Sequence, residues 1–411
     1  MLIASLAVGN FLDIVNTKML SDPELLLAIK ELKAAETDLN ISSNFSLPYL
    51  TLSGNMNANM EEVEALSTTP KISWNIWGMN VSISNELDAL NWEWKGFSIK
   101  VSANPNESIL YPEKIAKDRA NLMLKQWKVI SLKNSIVLDV FSDIFDWWIA
   151  NSRKPLLQKK LEIFQKNLKE MKTKSFSEEE LLKKEKEILL IKKEIANLNQ
   201  SATKNFEESD FLEALEIAKK ISNASCSSLA LRKDLKAYEL LKIAYEEEKK
   251  WLFLDDLPEL SLNLNYVENP PPGMDNWSIN LSFLWNVFDR GEKNMEKLNT
   301  TKTAEYYSLK SKKTSEDIQE ELESLEQQMS SLELDLEIAK TERKISELEY
   351  DKTKKAYEAG KATLEDLTLQ EIALSDCKMK ELQITLNLLL LKMQYLSTCG
   401  IDLTELLEVG K

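Results

Sequence analysis

The chain has 411 residues and a net charge of −15, contains no histidine, and has only 9 glycines and 10 prolines. The negative charge argues against nucleic acid or an anionic lipid surface as a partner, and the lack of histidine removes the commonest general base and metal ligand. Scarce glycine and proline favour long, uninterrupted elements over many short turns.

The N-terminal stretch from Met1 to Gly9 is apolar and resembles half of an export signal, although no basic segment precedes it. It fits a truncated signal and a mature N-terminus equally well. Residues 10–45 are predicted to be helical, and Asp22-Pro23 suits a helix start within them. No apolar run along the chain reaches the roughly 18–20 residues that a membrane-spanning helix needs.

Alternating apolar and polar residues predict strands within about 47–103. Leu50, Leu52 and Met56 alternate with polar residues at the start of this region, as Phe97 to Val101 do at its end. Residues 60–90 combine an acidic patch with a second alternating run. We interpret them as an enlarged loop, with a hairpin of its own as the open alternative.

A long helical hairpin is predicted over 107–200. Pro155 should kink or break its first helix, since proline removes a backbone hydrogen bond. The second helix is predicted to start at Ser177, because Glu180 follows three residues later and completes a capping box. A connecting segment, 201–226, ends what we assign as a first structural repeat, 1–226.

A second structural repeat, 227–411, follows the same order as the first. The run Leu47-Pro48-Tyr49-Leu50-Thr51-Leu52 returns about 210 residues later as Leu257-Pro258-Glu259-Leu260-Ser261-Leu262. A helix is predicted before this second run, and strands are predicted over about 258–288. A tandem duplication of helix, strand pair and long helix is rare, so it narrows the choice of fold.

The second repeat ends in another helical hairpin, predicted over 292–398 with its turn at Ala359-Gly360. Apolar residues with 4-3 spacing predict a coiled-coil seam along its two helices. These residues are Ile318, Leu322, Leu325, Met329, Leu332, Leu336 and Ala339 in the first helix and Leu382, Leu386, Leu389, Met393 and Leu396 in the second.

Four predicted strands cannot bury both faces of a sheet, and an open sheet leaves two unpaired edges. Strands of about ten residues have the length that crosses a bilayer at a tilt of about 45°. Tryptophans lie in and beside them, as in the aromatic girdles of outer-membrane barrels: Trp74, Trp77, Trp92, Trp94, Trp277 and Trp285. The edges disappear if several copies of the chain share one barrel. The alternative is a four-stranded sheet that lies on a soluble core.

The motif from Lys355 to Leu367 (KAYEAGKATLEDL), the helix after it that ends at Gly400, and Trp277–Gly291 before a long helix carry a family resemblance. The chain resembles the TolC-type outer-membrane efflux proteins. This resemblance implies a mixed α+β membrane protein with duplicated helix–strand–strand–helix halves. It implies a homotrimer whose twelve-stranded β-barrel, with four strands from each chain, joins a long α-helical barrel.

The resemblance also implies a location in the cell outer membrane, with the helical tunnel in the periplasm. The expected role is efflux of small toxic compounds or drugs, or polypeptide secretion. The duct would work passively with a periplasmic adaptor protein and an energised inner-membrane transporter, without a cofactor.

Matching the family's hairpin tips residue by residue gives the candidate site. Pore-constriction and gating candidates are Tyr357, Asp366 and, in the first repeat, Glu180; adaptor-contact candidates are Gly360, Lys361, Thr363 and Leu364. Lys174 stands where the family has glycine in the first tip, and Ala362 where it has a basic residue in the second. The alternative role for both acids is helix capping, which acids near a helix start favour.

Two other classes of function were weighed against an exit duct. A coiled-coil scaffold in the cytoplasm explains the helices but not the duplicated strands and tryptophans. An enzyme is disfavoured, because no nucleophile motif, glycine-rich phosphate loop or metal cluster is visible. The three cysteines, Cys226, Cys377 and Cys399, are widely spaced, and we expect ordinary thiols rather than a disulfide framework or a zinc site.

Overall fold

The structure is a computed structural model, and it describes residues 11–43, 48–58, 63–76, 79–103, 109–173, 176–202, 204, 206–226, 232–253, 259–268, 276–284 and 291–408. Lys174, Trp77 and Trp285, which the sequence analysis singled out, lie outside these residues. No helix in the described part is long and apolar enough to cross a lipid bilayer.

The described residues form helices and strands in the following chain order: α1 (Phe11–Ser21), α2 (Pro23–Ser43), β1 (Tyr49–Ala58), β2 (Val63–Ile76), β3 (Met79–Asp88), β4 (Glu93–Ala103), α3 (Tyr111–Thr173), α4 (Glu178–Ala202), α5 (Glu208–Ser222), α6 (Lys233–Lys250), β5 (Glu259–Glu268), β6 (Asn276–Leu284), α7 (Glu292–Glu358), α8 (Leu364–Thr398) and α9 (Leu403–Glu408). They divide into two compact units. The first contains 1–27, 128–232 and 317–411, and the second contains 28–127 and 233–316.

The described residues of the second unit form one antiparallel sheet with six strands in the order β1-β2-β3-β4-β5-β6. The sheet therefore has two strands more than the four predicted, and the hairpin left open as an alternative for residues 60–90 is confirmed. The segment interpreted as an enlarged loop forms β2 and β3, a complete hairpin inserted between β1 and β4. The alternation of apolar and polar residues from Ile72 to Ile83 explains this hairpin, because both strands place every second residue on the same apolar face.

The sheet has one mainly apolar and one polar face. A row of cross-strand partners on the apolar face runs through all six strands: Leu50, Ile72, Ile83, Ile99, Tyr266 and Trp277. No apolar side chain of the sheet is buried in the part of the chain that the structure describes. The alternative of a sheet that lies on a soluble core therefore has no support here.

The helices of the second unit pack through small and aromatic side chains. Ala120 of α3 is buried against Ala237 and Leu241 of α6. Tyr245 of α6 stacks on Tyr307 of α7, with ring centroids 5.3 Å apart. These contacts hold the helices that lead into and out of the sheet.

The first unit has an aromatic and aliphatic core built from α1, α3, α5, α8 and α9. Phe141 of α3 lies 4.6 Å from Phe11 and 5.9 Å from Phe145, measured between ring centroids. Trp148 stacks on Phe211 of α5 at 4.3 Å. The helix α3 continues through Pro155, so of the two predicted outcomes, a kink or a break, the break does not occur.

The hairpin of α7 and α8 confirms the predicted coiled-coil seam. All the predicted seam residues of α7 are buried or half-buried, with Ile318, Leu325 and Ala339 the most buried. Ion pairs flank the seam, including Lys380–Glu342 at 2.8 Å. The 4-3 spacing therefore reports packing positions, as coiled-coil geometry requires.

Cys226, which follows α5, forms a disulfide with Cys399, the C-cap residue of α8, and their Cα atoms are 6.3 Å apart. The expectation of ordinary thiols is wrong for this pair and holds for Cys377, which is free. The two residues are 173 positions apart in sequence. Only the packing of α5 against α8 brings them within disulfide distance, and spacing in the sequence does not reveal it.

Candidate functional site

The α7–α8 tip begins with a tight helix end at Gly360. The Lys361 N–H donates to the Ala356 carbonyl at 2.8 Å, and the Gly360 N–H donates to the Tyr357 carbonyl at 2.9 Å. This pair of bonds is a Schellman motif, which needs a left-handed residue at its centre. Gly360 supplies it with φ of 71°. The glycine is a turn residue, and Lys361 is presented next to it.

The α8 helix then starts with a capping box between Thr363 and Asp366. The Asp366 N–H donates to Thr363 Oγ1 at 3.1 Å, while Asp366 Oδ2 accepts from the Thr363 N–H at 2.9 Å and from its hydroxyl at 2.6 Å. These hydrogen bonds from the Thr363 side chain and backbone lower the pKa of Asp366, because they favour the charged form. Asp366 is therefore an ionised capping residue.

The α3–α4 tip shares one part of this construction, the capping box at the start of its second helix. The Ser177 N–H and hydroxyl donate to Glu180 Oε2 at 3.2 and 2.8 Å, and the Glu180 N–H donates to Ser177 Oγ at 3.3 Å. This confirms the capping box predicted at the start of α4. Both candidate acids thus occupy the third position of a helix in a reciprocal cap. Capping and a pore role are compatible, because each carboxylate stays exposed.

The other candidates lie at the surface of the α7–α8 tip. Tyr357, in the last turn of α7, is 40% exposed, and Leu364, the first residue of α8, is 62% exposed. Gly360, Lys361 and Thr363 between them are also exposed. An exposed leucine next to a basic residue and a rigid turn is a surface that can contact another protein.

An ion pair that the sequence analysis missed joins the two hairpins. Lys166 of α3 donates to the carboxylate of Glu365 in the first turn of α8. The hydrogen bond and the charge of Glu365 raise the pKa of Lys166. The two residues are 199 positions apart, so nothing in their local sequence indicates the contact. The only indication in the sequence was that the charged residue Glu365 directly precedes Asp366, a predicted site residue.

Glu180 also lines an open cleft of about 490 Å³ between the ends of α3 and α4. Met171 and Phe176 contribute apolar surface, and Lys184 extends over the Phe164 ring with its Nζ 3.5 Å from the centroid. The Lys172–Glu185 ion pair, at 2.8 Å, links α3 to α4 near the same tip. The cleft combines apolar surface with both signs of charge, as protein-contact surfaces do.

The tips offer charge and exposed surface, and the α7–α8 tip adds a tight turn at Gly360. Among the described residues, no three His, Cys, Asp or Glu side chains converge to hold a metal ion. Carboxylates at such positions can attract cations without coordinating them tightly.

No protein-family model matches this chain, and no curated protein matches it by sequence. Solved structures do match. CusC, described in terms of transmembrane channel formation, gives a TM-score of 0.61 at 12% identity and covers 95% of this chain and 92% of its own. The outer membrane channel CmeC of Campylobacter jejuni gives 0.59 at 14% identity, with 97% of this chain and 89% of that chain covered.

The outer membrane channel MtrE of Neisseria gonorrhoeae, solved in its open state, gives a TM-score of 0.56 at 11% identity and covers 98% of this chain and 94% of its own. These similarities extend over nearly the whole length of both chains. The chain therefore has the fold of these outer-membrane channels, and the TolC-type fold predicted from the sequence is confirmed.

Proposed function

We propose that this protein is a passive exit duct in the bacterial outer membrane. Several copies, three by the resemblance, form one pore through which small toxic compounds or drugs, or exported polypeptides, leave the cell. A periplasmic adaptor and an energised inner-membrane transporter supply substrate and energy. The duct itself selects by width and charge.

The uncovered apolar face of the sheet is the observation that carries this proposal. Leu50 and Trp277, at the two edges of the sheet, are each 75% exposed in the single chain. An apolar face of this size is unstable in water, and open edges are a site of further strand pairing. Lipid satisfies the face, and identical neighbours satisfy the edges, because only a closed barrel pairs every backbone group in a bilayer.

The Cys226–Cys399 disulfide supports an extracytoplasmic location. Disulfides persist in oxidising compartments such as the bacterial periplasm and are rare in the cytosol. A cytoplasmic coiled-coil scaffold, the alternative considered from the sequence, accounts for neither the disulfide nor the amphipathic sheet. The duct accounts for both.

The hairpin tips are proposed to control the pore and to bind the adaptor. Tyr357, Asp366 and Glu180 take the constriction role, and the charge of the two acids favours cations at the narrow point. The exposed surface from Gly360 to Leu364 takes the adaptor role. The ionised state of Asp366 supports an electrostatic contribution at neutral pH.

Single-channel recording tests the duct. The purified full chain is reconstituted in planar bilayers, and its mass is measured in detergent by light scattering. We expect a stable oligomer with discrete conductance steps that multivalent cations block. A monomer in detergent that gives no conductance in any reconstitution would overturn the proposal.

A further inference from the structure

The inserted hairpin β2–β3 has the length and register of a full pair of barrel strands. The β1–β2 ladder runs from Tyr49↔Ser73 to Ala58↔Val63, and the β3–β4 ladder runs from Met79↔Ala103 to Asp88↔Glu93. Both ladders span ten or more residues of strand, as the β5–β6 ladder nearly does. The insertion is therefore a continuous part of the sheet rather than an appendage to it.

The apolar face continues across the insertion in two adjacent rows, while a third row places Asn85 of β3 opposite Phe97 of β4. Ile72 of β2 and Ile83 of β3 are paired with each other, and they continue to Leu50 on one side and Ile99 on the other. The adjacent row repeats this pattern with Trp74, Val81 and Val101, and then with Leu264 and Ile279. A hairpin that stood in water would not need the same apolar face as its neighbours.

The polar face is continuous too. Ser84 of β3 and Ser98 of β4 place their hydroxyl oxygens 2.7 Å apart, as Ser261 and Ser282 do at 2.6 Å in the second half. Lys71 of β2 is on this face, next to Thr51 in register. The insertion thus has the apolar-out, polar-in alternation of a barrel wall.

Strand directions in the sheet allow copies to close into a ring. Each of the six strands is antiparallel to the next, so β1 and β6 run in opposite directions. The β6 edge of one copy can then pair antiparallel with the β1 edge of the next. Because the insertion adds two strands rather than one, it preserves this relation.

We propose that the β2–β3 hairpin belongs to the membrane wall and that the β1 and β6 edges bind a second copy of this chain. Three copies with six strands each then close a wall of eighteen strands instead of the twelve that the family resemblance implies. The inference rests on the proposed function, since it takes the sheet to be the transmembrane wall of a trimer. The new element is that this wall is wider than one of twelve strands.

The added strands change the width substantially. With strands about 4.8 Å apart and tilted by about 40°, eighteen strands give a backbone diameter of about 36 Å, and twelve give about 24 Å. The difference is large enough to measure directly.

Electron cryo-microscopy of the purified full chain in lipid nanodiscs tests the inference. We expect eighteen strands with β2 and β3 in the wall. A closed oligomer with twelve strands, and with the β2–β3 hairpin outside the wall, would overturn the inference and leave the duct intact. A monomer would overturn both, so the two failures are distinguishable.

Site-directed spin labels test the placement of β3 in the membrane independently of particle imaging. Ile83→Cys and Ser84→Cys are labelled in a Cys377→Ser background and reconstituted in vesicles. We expect the label at 83 to be accessible to oxygen from the lipid and the label at 84, on the polar face, to be accessible to a water-soluble nickel complex. Equal access of both labels to the nickel complex would contradict a wall position.

A deletion variant provides the matched control. Removing 63–88 leaves β1 and β4 antiparallel and joined by a short turn, because the deleted strands are a complete pair. We expect a wall of about twelve strands that is about one third narrower. An unchanged diameter in a folded deletion variant would overturn the inference.

Discussion

Asp366 has an observed role in capping and a proposed role in the pore, and a substitution can separate the two. Its carboxylate caps α8 through Thr363, and it is also the candidate for a charged ring in the pore. A residue that only caps a helix affects stability, whereas a residue that faces the lumen also affects ion block. The distinction is measurable, because Thr363 shares the cap without sharing the charge.

We therefore predict that Asp366→Asn weakens the block of single-channel current by trivalent cations, by about tenfold in the blocking concentration for loss of one unit charge per chain. Thr363→Ala, the matched control, removes the hydroxyl of the cap and should leave the block nearly unchanged. Equal blocking concentrations for Asp366→Asn and the unmodified protein would show that this carboxylate does not face the lumen.

The lowered pKa of Asp366 also gives the cap a pH dependence. A carboxyl group whose pKa is lower in the folded state contributes stability above its unfolded pKa and loses it as the pH falls through the folded pKa. We expect protection of the α8 N-terminus against hydrogen exchange to fall in the acid range. In Asp366→Asn the same amides should show no such pH-dependent step.

At the scale of elements, α5 and α8 are tied covalently through Cys226 and Cys399. We predict that the chain unfolded in denaturant without reductant titrates one thiol, that of Cys377, out of its three cysteines. After reduction it should titrate three. Three thiols before reduction, in protein purified from the oxidising compartment, would contradict the pairing.

Removing the disulfide should also weaken the first unit. The double variant Cys226→Ser/Cys399→Ser loses a cross-link that closes a long loop, and such cross-links contribute about 2–4 kcal/mol. We expect a lower midpoint for thermal unfolding. Cys377→Ser is the control, since it removes a thiol without a cross-link, and it should leave the midpoint close to that of the unmodified protein.

The Lys166–Glu365 ion pair connects α3 to α8 at the candidate gate. Both side chains are largely or partly exposed, so the pair has little effect on stability but can bias a gate between two arrangements. We predict that Lys166→Glu raises the open fraction in single-channel records, and that Lys166→Glu/Glu365→Lys restores it. If the double reversal behaves like the single one, the pair does not hold the hairpins together.

At the scale of the whole molecule, the described sheet ends in the edge strands β1 and β6 and exposes apolar side chains in the single chain. In the proposed duct, other copies of the chain pair with these edges and lipid covers the apolar face. We predict that the rate at which urea-unfolded chain refolds into oligomer in detergent rises with chain concentration, as followed on semi-native gels. Formation of the final species at a rate independent of concentration would contradict a wall shared between copies.

Local sequence patterns were sufficient for several features that depend on neighbours along the chain. The heptad spacing located the buried seam from Ile318 to Ala339, and Ser177 with Glu180 located a helix start. Gly360 marked the tip, because only a left-handed residue closes its turn. Each of these features follows from residues that are a few positions apart, so its pattern is visible in the sequence.

The strand count was decided by pairing across the sheet. The acidic patch at the start of residues 60–90 favoured a loop, and the alternating run after it left a hairpin open as the alternative. In the structure β2 is interior, between β1 and β3, and its apolar residues match theirs in register. That match is visible only when the neighbouring strands are in place.

The amino-acid sequence by itself thus determined most element types, the coiled-coil seam, the helix starts at Ser177 and Thr363, and the TolC-type fold. The tertiary structure alone decided the six-stranded sheet, the Cys226–Cys399 disulfide and the Lys166–Glu365 contact. The physical reason is range: propensity, periodicity and capping act within one turn or one strand. Strand pairing, cross-links and ion pairs between distant residues depend on which surfaces the folded chain brings together.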